Sequence, residues 1–189
     1  MGQRMVHFSE YSGRVEEIFL PEDGPTELGS NIAIADAEWA EQEARRADTQ
    51  AGLVLWTDGS RDENGAVGYA VVWKKGWSWA GREAHMGFFQ EAYDAAIARA
   101  LAVAAGRPKR RKLGRVRIFT DAQAAITRMT YDEPDPGQAY ALQARKAIAA
   151  PTRAGAFCQI EIRWYPAHKG IPGNEVADGW AKQAASEPG

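Results

Sequence analysis

The chain has very few of the residues that build disulfides and zinc sites. Cys158 is its one cysteine, and three histidines occur among 189 residues. A single cysteine excludes an intrachain disulfide and a zinc site built on several cysteines, and it favours a reducing, intracellular location. The sequence also contains no apolar run of the roughly 18–20 residues that cross a bilayer, and its first residues lack the apolar stretch of a signal peptide.

Strong net charge is also absent, since the formal charge at pH 7 is −2. The charge is unevenly distributed, however. Residues 1–50 hold 4 Lys or Arg against 11 Asp or Glu, whereas residues 51–189 hold 19 against 14. Such a basic excess can contact phosphates, but most charge runs are solvated loops, so it is weak evidence for a nucleic-acid partner. Seven of the cations fall in one stretch: Arg107, Lys109, Arg110, Arg111, Lys112, Arg115 and Arg117.

The chain changes character near residue 50. Residues 1–50 are acidic and contain a turn-rich segment, and we interpret them as a linker-like N-terminal extension with one helix that docks on the main domain. The helix is predicted over 31–47, with Asn31 as a candidate N-cap and with Ile34, Trp39 and several alanines available for packing. This extension contains no motif that indicates chemistry.

Residues 51–189 alternate between short apolar runs and alanine-rich amphipathic stretches, which is typical of an α/β domain. Short turns, including Asn64–Gly65, separate the first three strands and predict an antiparallel meander. The remaining strands alternate with helices, which favours a mixed sheet with helices packed on it. The predicted strands are 53–58, 69–73, 77–81, 116–121 and 158–165, and the predicted helices are 90–106, 121–129, 138–150 and about 173–186.

Acidic residues follow two of these strands directly. Asp58 and Asp121 each come after an apolar run and a threonine, and Asp178 lies near the start of the last helix. Taken singly, Asp121 could cap a helix and Asp58 could stabilise a turn. Three acids converging on one sheet edge would repel each other unless they bind a cation. Ligation by oxygen alone, without a Cys or His cluster, selects Mg²⁺ or Mn²⁺.

Three motifs resemble those of type 1 ribonuclease H, and in particular the domain carried by reverse-transcribing retroelements. They are WTDGS at 56–60, IFTDAQAA at 118–125 and PAHKGIPGNEVADGWAK at 166–182, in the family's order and on the predicted elements. The resemblance covers roughly residues 53–186. It implies an α/β, RNase H-like fold, in which a mixed five-stranded sheet of three antiparallel strands plus two further strands is flanked by helices.

The resemblance also implies a reaction. The family hydrolyses the RNA strand of RNA–DNA hybrids with two Mg²⁺ ions, for which Mn²⁺ can substitute, and leaves 5′-phosphate and 3′-hydroxyl ends. By this resemblance, His168 on its loop would shuttle protons or help the product to leave. The metal ligands would be Asp58, Asp121 and Asp178.

Substrate contacts follow from the same resemblance. Asn64 and Gln123 fall where the family contacts the minor groove and the ribose 2′-hydroxyl groups of the hybrid. Asn64 also has a simpler role as the first residue of its Asn-Gly turn, and Asn174 is expected to cap the last helix. The acidic extension would suit excision from a larger retrotransposon polyprotein with a reverse transcriptase upstream.

The sequence departs from the family at the fourth metal ligand, a glutamate in the first turn of the long helix. Here that turn reads EAYDAAIARAL at 91–101. Counting from the Tyr-Asp-Ala that precedes the glutamate in fungal retroelement domains places the ligand at Ala96. Counting back from the core positions Ile97 and Leu101 places it at Tyr93.

Two nearby acids could replace the missing glutamate. Asp94 lies three residues before Ile97, near the core-facing stripe of the helix, whereas Glu91 lies six residues before it and further round. We therefore favour Asp94 over Glu91. The third alternative is that no fourth ligand exists and the domain is inactive or very slow.

Three functions remain open on this basis. The first is an RNA–DNA hybrid endonuclease of intracellular location, with no membrane partner. The second is a catalytically impaired module that keeps the fold and binds nucleic acid, and the missing glutamate supports it. The third is a transposase or integrase of the same fold, which the Gly-Asn-Glu-Val-Ala-Asp run ending at Asp178 argues against, because those enzymes place a glutamate on their last helix.

Overall fold

The structure is a computed structural model of the chain. It describes residues 34–88, 91–105, 115–129, 138–144 and 159–187, together with the backbone of 4–9, 15–20 and 32–33. The candidate N-cap Asn31, Cys158 and the five cations from Arg107 to Lys112 lie outside the described residues. So does the second part of the helix predicted at 138–150.

Within the described residues, the strands and helices follow the predicted order. Every strand predicted between 53 and 165 is present, and β6 runs further than predicted because it pairs along almost the whole of β5. The strands are β1 (Arg4–Ser9), β2 (Val15–Leu20), β3 (Ile32–Ala33), β4 (Leu53–Arg61), β5 (Ala66–Lys75), β6 (Ser78–Phe88), β7 (Arg115–Thr120) and β8 (Gln159–Trp164). The helices are α1 (Ala37–Arg46), α2 (Ala92–Ala105), α3 (Gln123–Arg128), α4 (138–144) and α5 (Pro172–Ser186), and a 3₁₀ turn, Ala47–Thr49, follows α1.

The main sheet has the strand order β3-β8-β7-β4-β5-β6. Strands β4, β5 and β6 pair antiparallel, whereas β7 runs parallel to β4 and β8 runs parallel to β7. The predicted mixed five-stranded sheet is therefore confirmed. The extension adds the two-residue strand β3, parallel to β8, and a separate antiparallel hairpin of β1 and β2 that the sequence analysis did not predict.

The alternation of side chains along β4 divides the core between the two faces of the sheet. Leu53 and Leu55 point to one face, which α2, α3 and α4 cover; that part of the core includes Ile97, Leu101, Ile118, Ile126, Ala141 and Ile162. Val54 and Trp56 point to the other face, which α1 and α5 share; that part includes Ala44, Ala47, Phe119, Tyr165, Ile171 and Ala177. The fold is thus a sheet between two helical layers.

Helix α1 begins at Ala37, later than predicted, because Asp36 caps it. The Asp36 carboxylate accepts a hydrogen bond from the Trp39 N–H at 3.0 Å. Of the residues expected to be available for packing, Ile34 and Trp39 stay 44% and 48% exposed. Small side chains make the contact instead: Ala40 and Ala44 are buried, and alanine lets the helix lie close to the sheet.

A buried arginine ties the segment after α1 to the sheet. Arg117 on β7 is fully buried, and its Nη2 donates to the Ala47 carbonyl oxygen at 2.9 Å. Its Nη1 donates to Gln50 Oε1 at 2.6 Å. A buried guanidinium is costly without such acceptors, so the end of the extension supplies polar partners that this charge needs.

Helix α5 lies directly on an aromatic cluster. The Trp56 ring stacks on Phe119 with centroids 4.7 Å apart and meets Tyr165 edge-on at 5.6 Å. A Cβ added at Gly173 would lie 2.3 Å from Trp56 ring atoms, so only glycine permits this approach. Asn174 does not cap the helix as predicted. It is buried, and its Oδ1 accepts a hydrogen bond from the Tyr165 hydroxyl, while Ile171 occupies the N-cap position.

No helix in the part of the chain that the structure describes is both long enough and apolar enough to span a membrane.

The contact between Gly173 and Trp56 predicts opposite effects for two glycine substitutions in the same helix. We expect Gly173→Ala to destabilise the fold by about 2 kcal/mol, because the new methyl group overlaps the Trp56 ring. A Cβ at Gly179 meets nothing within 4 Å, so Gly179→Ala should leave stability unchanged or raise it by about 0.5 kcal/mol. Urea unfolding of both variants measures the difference, and equal effects would contradict this packing.

Candidate active site

The parallel register of β4 and β7 brings two aspartates to the same level of the sheet. Trp56 is paired with Phe119, and the same offset places Asp58 beside Asp121. The preceding threonines secure this arrangement. Thr57 Oγ1 donates across the strands to the Phe119 carbonyl oxygen at 2.9 Å, and Thr120 Oγ1 accepts from the Ala122 N–H at 3.2 Å.

Asp58 is the most strongly perturbed of these acids. Its side chain is buried, and its Oδ1 accepts a hydrogen bond from the Gly59 N–H at 2.7 Å. Burial, together with the charges of Asp121 and Asp178 and against the Gly59 hydrogen bond, raises the pKa of Asp58 to about 8. Asp58 therefore lies within electrostatic reach of both other aspartates, as the sequence analysis predicted.

Asp121 has an unmet acceptor. Burial raises its pKa, the proximity of His168 lowers it, and Asp178 raises it. Its Oδ1 is buried, and no group among the described residues donates to it. A buried carboxylate oxygen without a donor is unfavourable unless a proton or a cation occupies it.

Asp178 approaches from α5. It lies one helical turn after Asn174, so the Tyr165–Asn174 hydrogen bond and the Gly173–Trp56 contact determine its position along the sheet. One carboxylate oxygen, Oδ2, accepts a hydrogen bond from Lys182 Nζ at 2.7 Å. Because Lys182 is largely exposed, this ion pair leaves the carboxylate accessible.

His168 lies in the loop between β8 and α5 with its side chain exposed. Its φ of +59° is in the left-handed region, which is uncommon for a residue with a Cβ. The effect of His168 on the pKa of Asp121 places the imidazole near that carboxylate. The structure therefore brings together four of the predicted site residues: Asp58, Asp121, Asp178 and His168.

Tyr93 faces these acids from the first turn of α2. A Cβ at Gly59 would lie 2.6 Å from Ala92 Cβ and 2.8 Å from the Tyr93 nitrogen, so the start of α2 abuts β4 directly after Asp58. The pKa of Tyr93 is raised to about 12, mainly by burial and then by the charges of Asp58, Asp121 and Asp178. The position obtained by counting back from the core is thus the one that adjoins the acids.

Asp94 and Glu91, the two candidates for the fourth ligand, both contact Arg128 on α3. Asp94 is buried, and its Oδ2 accepts from Arg128 Nη1 at 2.6 Å, while Glu91 Oε2 lies 3.8 Å from Arg128 Nη2. Burial raises the pKa of Asp94 to about 7, against the opposing effect of Arg128. Consecutive helical residues point about 100° apart, so Asp94 cannot face the acids while Tyr93 does. Asp94 stays a predicted ligand only if it releases Arg128.

Arg128 was not among the residues predicted from the sequence. The signal for it was Asp94 itself, because an acid on the core-facing side of an alanine-rich helix needs a cation from a neighbouring element.

The predicted substrate-binding residues lie in exposed positions. Asn64 is in the β4–β5 turn, where its N–H donates to Asp62 Oδ1 at 2.9 Å. Gln123 opens α3, two residues after Asp121, with its side chain exposed. Both are accessible to a large ligand, and their role in substrate binding stays a prediction.

Among the described residues, no three His, Cys, Asp or Glu side chains are already gathered into a metal-binding group. The chemistry of the donors nevertheless fits a hard divalent cation. Asp58, Asp121 and Asp178 offer only oxygen, the charges of Asp121 and Asp178 raise the pKa of Asp58, and no described group donates to Asp121 Oδ1.

The RNase H family model matches residues 50–186. The chain belongs to the RNase H family. Ribonuclease H1 from the halophilic archaeon Halobacterium salinarum NRC-1 is similar in structure, with a TM-score of 0.53 and 22% identity over 70% of this chain and 96% of that one. The N-terminal RNase H domain of Rv2228c from Mycobacterium tuberculosis, solved as a fusion with maltose-binding protein, has a TM-score of 0.52 and 19% identity over 72% and 94%.

LC11-RNase H1, solved in complex with an RNA/DNA hybrid, is also similar, with a TM-score of 0.52 and 20% identity over 70% of this chain and 96% of that one. At these identities the likeness establishes the fold. Comparison with curated proteins finds no match. Membership of the RNase H family confirms the resemblance given above, whereas the retroelement context stays a prediction.

The raised pKa of Asp58 predicts a pH-dependent stability in the absence of metal. The folded protein holds this proton up to about pH 8, whereas the unfolded chain releases it near pH 3.8. The stabilising contribution is therefore full below pH 3.8 and is lost as pH rises through 8. We expect Asp58→Asn to exceed wild type in unfolding free energy at pH 8 by about 2 kcal/mol, and by much less at pH 5.

Urea unfolding at the two pH values in the presence of a chelator measures this difference. Glu63→Gln, in the exposed β4–β5 turn, is the matched control and should show the wild-type pH dependence. The same pH dependence in Asp58→Asn and wild type would show that Asp58 is not the buried acid described.

Proposed function

We propose that the chain is an endonuclease that hydrolyses the RNA strand of RNA–DNA hybrids by a two-metal-ion mechanism. One observation carries the proposal: Asp58 on β4, Asp121 directly after β7 and Asp178 on α5 converge, so that the charges of Asp121 and Asp178 raise the pKa of Asp58, and His168 lies near Asp121. Membership of the RNase H family and the hybrid complex of LC11-RNase H1 support the substrate.

Asp58, Asp121 and Asp178 would hold two Mg²⁺ ions, or Mn²⁺ in their place. When bound, such ions activate a water molecule and stabilise the leaving 3′ oxygen. Asp58 must release its proton for the site to load, because burial and its acidic neighbours keep it protonated near neutral pH. His168, exposed on its loop, would carry protons between the reacting phosphate and solvent and would help the product to leave.

Asn64 and Gln123 would bind the hybrid. Amide side chains can donate to and accept from ribose 2′-hydroxyls and base edges in a wide, shallow minor groove. Their exposure on the β4–β5 turn and at the start of α3 leaves both free for such contacts. Recognition would depend on the shape of the duplex and on its 2′-hydroxyls rather than on base sequence.

A second candidate function is a catalytically impaired module that binds hybrid. The specific observation in its favour is that Tyr93 occupies the position facing the three acids, while Asp94 and Glu91 contact Arg128. A phenol with a pKa of about 12 adds no negative charge at neutral pH. The site would then hold its second ion weakly, and turnover would be slow.

Cleavage of a hybrid labelled on both strands tests the first function. In Mg²⁺ or Mn²⁺ we expect cutting of the RNA strand alone, and a loss of at least about 100-fold in Asp121→Asn and Asp178→Asn, because each removes a charge that holds metal. Folding of each variant is checked by its unfolding midpoint. A folded wild type that binds hybrid but cuts neither strand in either metal would favour the second function.

The fourth position is tested by restoring a carboxylate. Tyr93→Glu should raise the rate in Mg²⁺ by about tenfold, because a charged oxygen then faces the other three acids. Tyr93→Gln is the control, because glutamine has the shape of glutamate without its charge, and it should give no gain. Asp94→Asn and Glu91→Gln should leave the rate within about threefold of wild type. If Asp94→Asn abolishes cleavage and Tyr93→Glu gives no gain, Asp94 is the fourth ligand.

A further inference from the structure

The loop that carries His168 has an unusual backbone. His168 and Gly170 both adopt left-handed conformations, with φ of +59° and +64°, and Lys169 lies between them. A left-handed residue with a Cβ is unfavourable and persists where surrounding contacts hold it. The peptide between the two left-handed residues is therefore the natural place to look for such a contact.

Helix α1 supplies that contact. Arg45 Nη2 donates a hydrogen bond to the Lys169 carbonyl oxygen at 2.7 Å. The guanidinium is itself held in place, because Glu41 Oε1 accepts from Arg45 Nε at 3.0 Å and from Nη2 at 2.8 Å. Glu41 Oε2 also lies 3.5 Å from Lys169 Nζ. Both the backbone and the side chain of Lys169 are thus bound to one Glu-Arg pair on α1.

The helix that makes this clamp is firmly seated. Ala40 and Ala44 are buried against the sheet, and Arg117 binds the Ala47 carbonyl directly after the helix. Glu43 lies 3.6 Å from Arg163 on β8, the strand that leads into the loop. Helix α1 is therefore a fixed support, and the loop is bound to it through exposed charged groups.

We infer that Arg45 is a positioning residue for His168. Its effect on cleavage rests on the proposed function, but the clamp itself does not. Helix α1 lies outside residues 50–186, so the loop that carries the histidine is oriented by a segment beyond the RNase H match. Because the Arg45 and Lys169 side chains are each 48% exposed, the bond can break and reform as the loop moves.

The first test measures the loop without metal or substrate. In Arg45→Ala, ¹⁵N relaxation should show the backbone order parameters of 168–170 falling from near the rigid value of about 0.85 toward about 0.6. Arg46→Ala is the matched control, since it removes the same charge from the next position of α1, whose side chain is exposed. Unchanged order parameters in Arg45→Ala, or the same fall in Arg46→Ala, would overturn the inference.

The second test uses hybrid cleavage. Arg45→Ala should lower kcat by about three- to tenfold with KM unchanged, because the net effect of a typical intramolecular hydrogen bond on an equilibrium is about this factor. Arg45→Lys, which can still donate to the Lys169 carbonyl, should recover part of the loss, and Arg46→Ala should match wild type. An unchanged kcat in an active protein would refute the positioning role. If wild type cuts no hybrid while Arg45→Ala loosens the loop, the proposed function fails and the clamp stands.

Discussion

The parallel register between β4 and β7 is the constraint on which the rest of the molecule depends. It places Asp58 level with Asp121, and the Thr57 hydrogen bond to the Phe119 carbonyl holds it there. The same register stacks Trp56 on Phe119 and so forms the surface on which α5 rests. A shift of one residue would turn Asp58 to the opposite face of the sheet and remove the support of α5, so the site and the core are determined by one pairing.

Without a bound cation, the three aspartates of the site lower the stability of the fold. Asp58 is buried beside the half-buried Asp121, and no group among the described residues donates to the buried Oδ1 of Asp121. Within the part of the chain that the structure describes, neither acid has an ion pair of the kind that Arg128 provides for Asp94. The contrast separates two uses of a buried carboxylate in one chain. Asp94 joins α2 to α3 through an ion pair, whereas the acids of β4 and β7 are arranged to receive a cation from solution.

Much of the fold follows from local pattern. Apolar runs that end in Thr-Asp predicted β4, β7 and their aspartates, because two-residue alternation and turn residues depend on neighbours in sequence. The environment of Asp94 did not follow, since it depends on how closely α2 approaches Gly59 and on an arginine in another helix. The burial of Asn174 depends likewise on a tyrosine that precedes the loop.

A docking helix over 31–47 was predicted, but the way in which α1 packs did not follow from the sequence. Its buried side chains are alanines, which are only weakly hydrophobic. The surface against which they pack is formed by residues far along the chain. Ile34, which precedes the helix, and Trp39 within it are exposed, so the large apolar residues of this segment do not mark its buried face. The roles of the site residues could be assigned only through the family resemblance and remain proposals.

The buried guanidinium of Arg117 has a practical consequence for anyone who trims this protein to its recognisable domain. A chain cut to residues 50–186 would lose the Ala47 carbonyl that Arg117 binds, and it would expose the side of the aromatic cluster that Ala44 and Ala47 cover. Such a fragment would carry an incompletely satisfied charge in its interior and would tend to misfold or aggregate. Its inactivity would then be easily mistaken for a defect in the candidate metal-binding carboxylates, although the cause would be the loss of the contacts that Ala44 and Ala47 make.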